Sequence, residues 1–390
     1  MEERTRAYLR GRFRDHYRAV DPTLPPGADE REWGYIPWTA GPGTTMVRHS
    51  SLLDLGDLGG FLERERPRHV YFSAGRYGDP GASTMEAKGW QSADLVFDLD
   101  ADHLPGVTPE TTYAEMLARC KDELLDLLDL LDRDFGFDDA TVVFSGGRGY
   151  HVHIRDEGIR HLDREARREV VDYVRARDVA FDSLVESEAV AGLGLKNPTH
   201  KRTLPTDGGW GGRVHSHLRS FVDELMAMEE EDALERLQEF DGIGTGKATG
   251  AYNAAKNNRR EIERGNVDVH PAFYQLARIV ASEVFAAESA AVDEPVTTDT
   301  HRLIRLPGSL HGGSGLEVTR ISRDELADFD PLVDAIPETF TRHDVTIELE
   351  EGAKIELGGE SFTIPAGNVS IPEYVAIFLM ARGRAEKGKE

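Results

Sequence analysis

One short segment restricts the fold more than any other. Residues 141–145, TVVFS, are an apolar, β-branched run, and residues 150–154, YHVHI, are a second. Between them lie Gly146, Gly147, Arg148 and Gly149. A link this short returns the chain antiparallel, because a parallel pair needs a crossover of about a dozen residues or more. Glycines in such a turn let backbone N–H groups approach an anion closely, and Arg148 can fork onto phosphate oxygens. His151 and His153 share one strand face, where they can donate to a phosphate or simply cap the strand. The segment reads as a phosphate-binding turn or as a glycine-rich hairpin without a ligand.

A second segment supplies carboxylates. In DLVFDLD (94–100) successive side chains alternate faces, so Asp98 and Asp100 point the same way. Two carboxylates one strand-step apart repel unless a cation lies between them. Hard divalent ions such as Mg²⁺ take such oxygen ligands together with substrate phosphates. A solvent-facing strand end is the alternative in a chain this acidic. A third segment runs from Val292 to His311, with Asp293 and Asp299 ahead of a strand that carries Arg302 and Arg305 and ends in Ser309-Leu310-His311. It fits a surface ion-pair ladder, and equally a metal ligand with two cationic contacts for a triphosphate.

Around these segments the pattern is mixed. Further strands are expected at REWGYIPW (31–38), HVYFSA (69–74), RLIRL (302–306) and LEVTRIS (316–322). A strong helix follows the paired acids, with Thr108 as N-cap, Pro109 in the first helical position and Gly136 as the stop. Its apolar face is Met116, Leu117, Cys120, Leu124, Leu127, Leu128 and Leu131. From about 160 to 290 the chain turns to helices separated by loops, of which 163–186 and 270–290 are the clearest. A last helix is expected within PEYVAIFLMARGRAE. The expected fold is α/β (α+β): a mixed-sheet core from 1–158 and 291–390, with 159–290 inserted as a helical lobe.

Charge bears on partners. The 390 residues hold 71 Asp plus Glu against 46 Lys plus Arg, a formal net charge of −25. That excess normally disfavours nucleic acid, because phosphate binding needs a basic surface. Spread evenly along the chain, it fits instead a very salty cytoplasm, where charge repulsion is screened within ~3 Å at about 1 M salt. DNA affinity there has to come from short-range contacts. The N-terminal segment is charged throughout and reads as an amphipathic helix rather than a signal peptide, and no run of apolar residues is long enough to span a membrane. One cysteine, Cys120, excludes an internal disulfide framework and fits a cytoplasmic location.

DLVFDLDADH, SGGRGYHVH and VDEPVTTDTHRLIRLPGSLH, in that order, resemble the three signature blocks of the archaeal and eukaryotic DNA primase small subunit. Shorter matches at 31–34, 46–49, 85–90 and 374–379 extend the resemblance over nearly the whole chain. It implies the catalytic subunit of a primase that makes short RNA primers on single-stranded DNA by two-metal nucleotidyl transfer, with deoxynucleotide extension as a further capacity. By match to the family motifs, Asp98, Asp100 and Asp293 are the metal-ligating acids, with Asp299 the competing choice for the third. Ser145, Arg148 and His151 would hold the nucleotide triphosphate, with Arg305 and His311 closing on it. Arg48 and Lys88 are weaker candidates for phosphate or template contacts. The cofactor is two Mg²⁺ or Mn²⁺ ions, and the partners are a primase large subunit, the template and nucleoside triphosphates, with no membrane.

Archaeal members typically carry a zinc site after the paired acids. Here that region offers only His103 and Cys120, and a structural zinc site wants four N/S ligands. No zinc is expected, which leaves the helix from 109 to be anchored by apolar packing alone. Gly242–Thr249 imitates a P-loop but has Asp241 at the first glycine position and Ala248 at the hydroxyl position. His200, His215 and His217 lack ligand spacing. Rival readings are a primase-polymerase of DNA repair, a non-catalytic nucleic-acid-binding subunit and a metal phosphohydrolase.

Overall fold

Asp94 marks the corner where the chain passes from one sheet to the next. The computed structural model describes residues 1–39, 45–108, 110–137, 139–190 and 199–389, without the side chains of 103, 188–190, 199 and 200. Ahead of the corner lie β1 (Arg31–Ile36), β2 (Val47–Ser50), β3 (His69–Tyr77) and β4 (Trp90–Ala93). Beyond it come β5 (Leu95–Asp100), β6 (Thr141–Phe144) and β7 (Gly149–Ile154). Two late strands, β8 (Leu303–Arg305) and β9 (Thr319–Ile321), are divided between the sheets. The first sheet has the order β8-β3-β1-β2 with β4 also on β3, the second the order β9-β6-β7-β5, and every pairing is antiparallel.

Apolar residues on the strands explain why the sheets meet. Ala74 of β3, Val96 of β5 and Ile304 of β8 pack with Val296 from the short helix Glu294–Thr298. Phe72 of β3 stacks on His153 of β7, with ring centroids 6.2 Å apart and planes 18° from parallel. Burial pushes the His153 imidazole well below its usual pKa and His69 down to about 3, so both are held neutral.

The corner itself is ionic. Asp94 and Arg31 are both fully buried and pair at 2.7 Å, and Arg155 reaches the same carboxylate at 3.1 Å. Arg31 also donates to the carbonyls of Ser73 and Ala74 in β3, at 2.6 and 3.0 Å. Arg167, from the helix Arg164–Val174, donates to the carbonyls of Ala93 and Asp94 at 2.8 and 2.9 Å.

The architecture is α+β, and the chain packs as two compact units. One comprises Met1–Leu125, Asp139–Val171 and Ala291–Glu390, the other Asp126–Asp138 and Asp172–Ala290. Within the second unit the helices Gly209–Ala227, Thr245–Asn257 and Pro271–Glu288 pack together. Arg213 there is held by Asp129, Asp134 and Glu288 at 2.9, 3.1 and 2.8 Å.

Several elements differ from their sequence reading for identifiable reasons. The long helix begins at Tyr113, not 109, because Thr112 and Glu115 form a reciprocal cap, and Pro109 lies outside the described residues. Its anchoring is not apolar alone. The Lys121 ammonium donates to the Ala327 and Phe329 carbonyls at 2.6 and 2.9 Å, and Glu123 accepts from the Ala291 backbone at 3.1 Å. Buried Cys120 lies with its Sγ 3.6 Å from the Leu99 carbonyl oxygen. The helical run 163–186 breaks after Val174, where Ala176 and Asp178 take positive φ, and resumes only at Phe181–Leu184. The last helix stops at Ala381, two residues before Gly383 at φ +70°.

Two stability measurements follow. Asp94→Ala leaves Arg31 buried without its counter-charge, and a denaturant titration at fixed salt is expected to show a loss of about 3–5 kcal/mol. Histidines held neutral bind protons only on unfolding, so stability is level above about pH 6.5 and falls as the pH drops below it. Denaturation midpoints from about pH 6.5 to 5 should decline in the wild type and less steeply in His153→Gln. Equal slopes would show that His153 does not contribute.

Candidate active site

The site grows out of the β5–β7 pairing. Asp98 lies opposite His151 and Asp100 opposite Gly149. Residues 97 and 99 are buried while Asp98 and Asp100 are part-exposed, so the two carboxylates share the open face that strand alternation requires. His151 sits with Nε2 3.5 Å from Asp98 Oδ1. Burial lowers the His151 pKa to about 3, with Arg305 and Arg302 adding to the shift, so the ring is neutral.

Glycine is required at two points of the turn that joins β6 to β7. Gly146 has φ +73°, and a Cβ there would lie 2.7 Å from Cβ of His311. Gly149 has no room for a side chain, because a Cβ would sit inside the Leu99 carbonyl. The turn is closed by Ser145 N–H donating to Gly149 O at 2.9 Å, and Ala101 N–H donates to Arg148 O at 3.1 Å. Tyr113 donates from its phenol to Gly147 O, and Ser314 Oγ donates to Gly146 O. Arg148 is exposed, paired with Asp102 and 3.9 Å from Asp100.

A cleft of about 490 Å³ gathers these residues. Asp98, Asp100, Ser145, Arg148, His151, Arg305 and His311 line it, seven of the eight principal residues expected from the sequence. His311 is held neutral by burial, reinforced by Arg305 and His69, whose ring packs edge-on against it at 4.9 Å. A second cleft of about 350 Å³ shares Asp98, His151 and Arg305 and adds Arg48, Asp299 and Arg302.

The eighth residue, Asp293, lines neither cleft. It caps the helix Glu294–Thr298, and its backbone N–H donates to the Asp98 carbonyl at 2.8 Å. Asp299, the competing acid, lies at the other end of that helix and accepts from His301 N–H at 2.9 Å. Lys88 is fully buried, paired with Glu32 at 3.3 Å over the Tyr77 ring, and lines neither cleft. Glu32 also holds Arg48 at 3.1 Å.

Among the described residues no three His, Cys, Asp or Glu side chains converge to hold an ion by themselves. Asp98 and Asp100 are nonetheless the right donors for a hard divalent ion, which usually takes one or two carboxylates and completes its shell with substrate phosphates and water. His103 and His200 lie outside the described side chains. His215 is buried with Nε2 2.9 Å from the Ile262 carbonyl, and His217 contacts Glu288. Lys247 folds back onto Gly242 O at 2.9 Å.

Sequence reasoning missed Arg382 and Arg384, which also line the first cleft. Their signal was cations directly after an apolar helix, a pattern that ordinary pairing with a helix C-terminus also produces. No helix among the described residues is long and apolar enough to cross a membrane.

Comparisons with known proteins bear on the family. A family profile described as DNA primase small subunit matches residues 97–323. Over the full length of both chains, the sequence is 68% identical to a DNA primase small subunit of Haloarcula marismortui and 63% identical to one of Halobacterium salinarum. It is 40% identical, again over both full lengths, to one of Methanococcoides burtonii. The haloarchaeal relatives fit the reading of the acidic excess as an adaptation to salt. With the signature blocks folded onto one cleft and relatives matched from end to end, the chain belongs to the DNA primase small subunit family.

Proposed function

We propose that the chain is the catalytic subunit of a DNA primase, joining ribonucleotides into short primers on a single-stranded DNA template beside a primase large subunit. One observation carries the reading: the paired acids of β5 face the Ser145–Arg148 turn, Arg305 and His311 across a single cleft. The reaction class is attack of a 3′-hydroxyl on the α-phosphate of a nucleoside triphosphate, with release of pyrophosphate.

Each side chain has a task that its position supports. Asp98 and Asp100 offer oxygens for two Mg²⁺ or Mn²⁺ ions, with Asp293 as the third acid brought to β5 by its backbone bond to Asp98. When bound, the ions would supply activation of the hydroxyl and charge neutralisation at the phosphates. Arg148 exchanges Asp102 for phosphate oxygens, a substitution of one anion for another that leaves no buried charge unpaired. Arg305 is half-buried and lines the cleft, where a phosphate would give its guanidinium a counter-charge. His151 and His311, both neutral, contribute hydrogen bonds, so the positive charge in the cleft is carried by guanidinium groups.

The direct test is synthesis on unprimed single-stranded DNA with labelled ribonucleotides at high salt, with and without the large subunit. Asp100→Asn is expected to lower the rate about 1,000-fold, equal to about 4 kcal/mol of transition-state stabilisation. A near-wild-type rate in that variant would remove Asp100 from the chemistry. Gly149→Ala pushes β7 off the Leu99 carbonyl beside Asp100. It should both lose activity and lower stability by about 1–3 kcal/mol in a denaturant titration.

A further inference from the structure

The end of the C-terminal helix presents two arginines to the cleft for which the signature blocks have no counterpart. After Ala381 the chain turns through Gly383, and Arg384 N–H returns to Leu379 O at 2.9 Å, which fixes Arg382 and Arg384 on one tight turn. The Arg382 guanidinium lies 4.1 Å from the centroid of Tyr113 and 4.3 Å from that of Phe378. Tyr113 is in turn tied to the glycine turn through Gly147 O. The two rings are occupied in seating a cation, so this end of the cleft presents charge to a ligand, not an aromatic face.

Charge makes the feature pointed. The chain has 71 acids for 46 Lys plus Arg, yet among the described residues no carboxylate pairs with Arg382, Arg384 or Arg305. Burial lowers the Arg382 pKa, Tyr113 opposes the shift, and the like charges of Arg148 and Arg384 add to it. Guanidinium groups crowded this way are stabilised by a polyanion. The adjoining wall, formed by Gly147, Gly313 and Ser314, leaves space for phosphate oxygens. Arg382 and Arg384 line the same cleft as Arg148 and His311.

We propose that Arg382 and Arg384 form the outer end of the nucleotide site and bind the β- and γ-phosphates of the incoming nucleoside triphosphate, the part that leaves as pyrophosphate. The inference rests on the primase reading above. It adds a phosphate contact from a segment beyond the residues that match the family profile.

The test uses the full chain with its large subunit, at constant high salt. Nucleotide KM, kcat and inhibition by inorganic pyrophosphate are measured for Arg382→Ala, Arg384→Ala and the corresponding lysine variants. Loss of one charge-assisted contact is expected to raise KM and the pyrophosphate inhibition constant together by about tenfold, with kcat little changed and lysine restoring part of the loss. A structural role alone would not move pyrophosphate inhibition in step with KM. Arg384, exposed and without ring contacts, is the variant least bound up with folding. The proposal is overturned if Arg384→Ala and Arg382→Lys leave both constants within about twofold of wild type. It is overturned equally if they weaken only binding of single-stranded DNA. Calorimetric titration with pyrophosphate and Mg²⁺ separates the two readings. Arginine-dependent pyrophosphate binding in a chain that makes no primers would overturn the primase reading, and with it the assignment to an incoming nucleotide, and leave only a diphosphate site at these arginines.

Discussion

Much of the first compact unit hangs on one buried ion pair. Arg31 and Asp94 are both removed from water, which is unfavourable unless each remaining hydrogen-bonding position is filled. Here the surroundings fill most of them and leave Asp94 Oδ1 without a partner. Arg155 shares the carboxylate, Arg31 reaches two carbonyls of β3, and Arg167 takes the carbonyls of the corner itself. Arg31, Asp94 and the arginines around them therefore tie together β1, β3, the corner before β5, the end of β7 and a helix. Asp98 follows one strand-length later, so the direction in which its side chain leaves β5 is inherited from the corner.

The site is assembled from segments that share no local structure. β5 brings two acids, the β6–β7 turn brings an arginine held by a carboxylate, and β8 brings a half-buried arginine with an unsatisfied nitrogen. Asp98, His151 and Arg305 line both clefts, so these three residues form the wall between two spaces. Neutral histidines suit the same place. Their rings pack and orient without adding charge that would have to be offset in a buried setting.

The parts that were readable from the sequence are those governed by short-range rules. Alternation placed Asp98 and Asp100 on one face, and the spacing of the glycines with flanking apolar runs gave the β6–β7 hairpin. Gly146 and Gly149 could be read as turn residues, but their reasons lie elsewhere in the fold, in His311 and Leu99. The division of β8 and β9 between two sheets has no local signature, since pairing partners are chosen by packing. Lys88 shows the same limit from the other side: its neighbours in sequence do not reveal that Glu32 and Tyr77 enclose it. The helix start at Tyr113 was a nearer miss. Thr108 and Thr112 both offer a cap, and Glu115 decides between them.

The backbone bond from Asp293 to the Asp98 carbonyl has a bearing on synthesis. The two residues lie half the chain apart, and the strand and the short helix beside them meet only once both have been made. An emerging chain can close the β5–β7 pairing early, yet Asp293 arrives only when it leaves the ribosome. At about 5–20 residues per second the gap lasts on the order of ten seconds or more. During that interval the nascent protein carries β5 without the short helix whose entry N–H takes the Asp98 carbonyl.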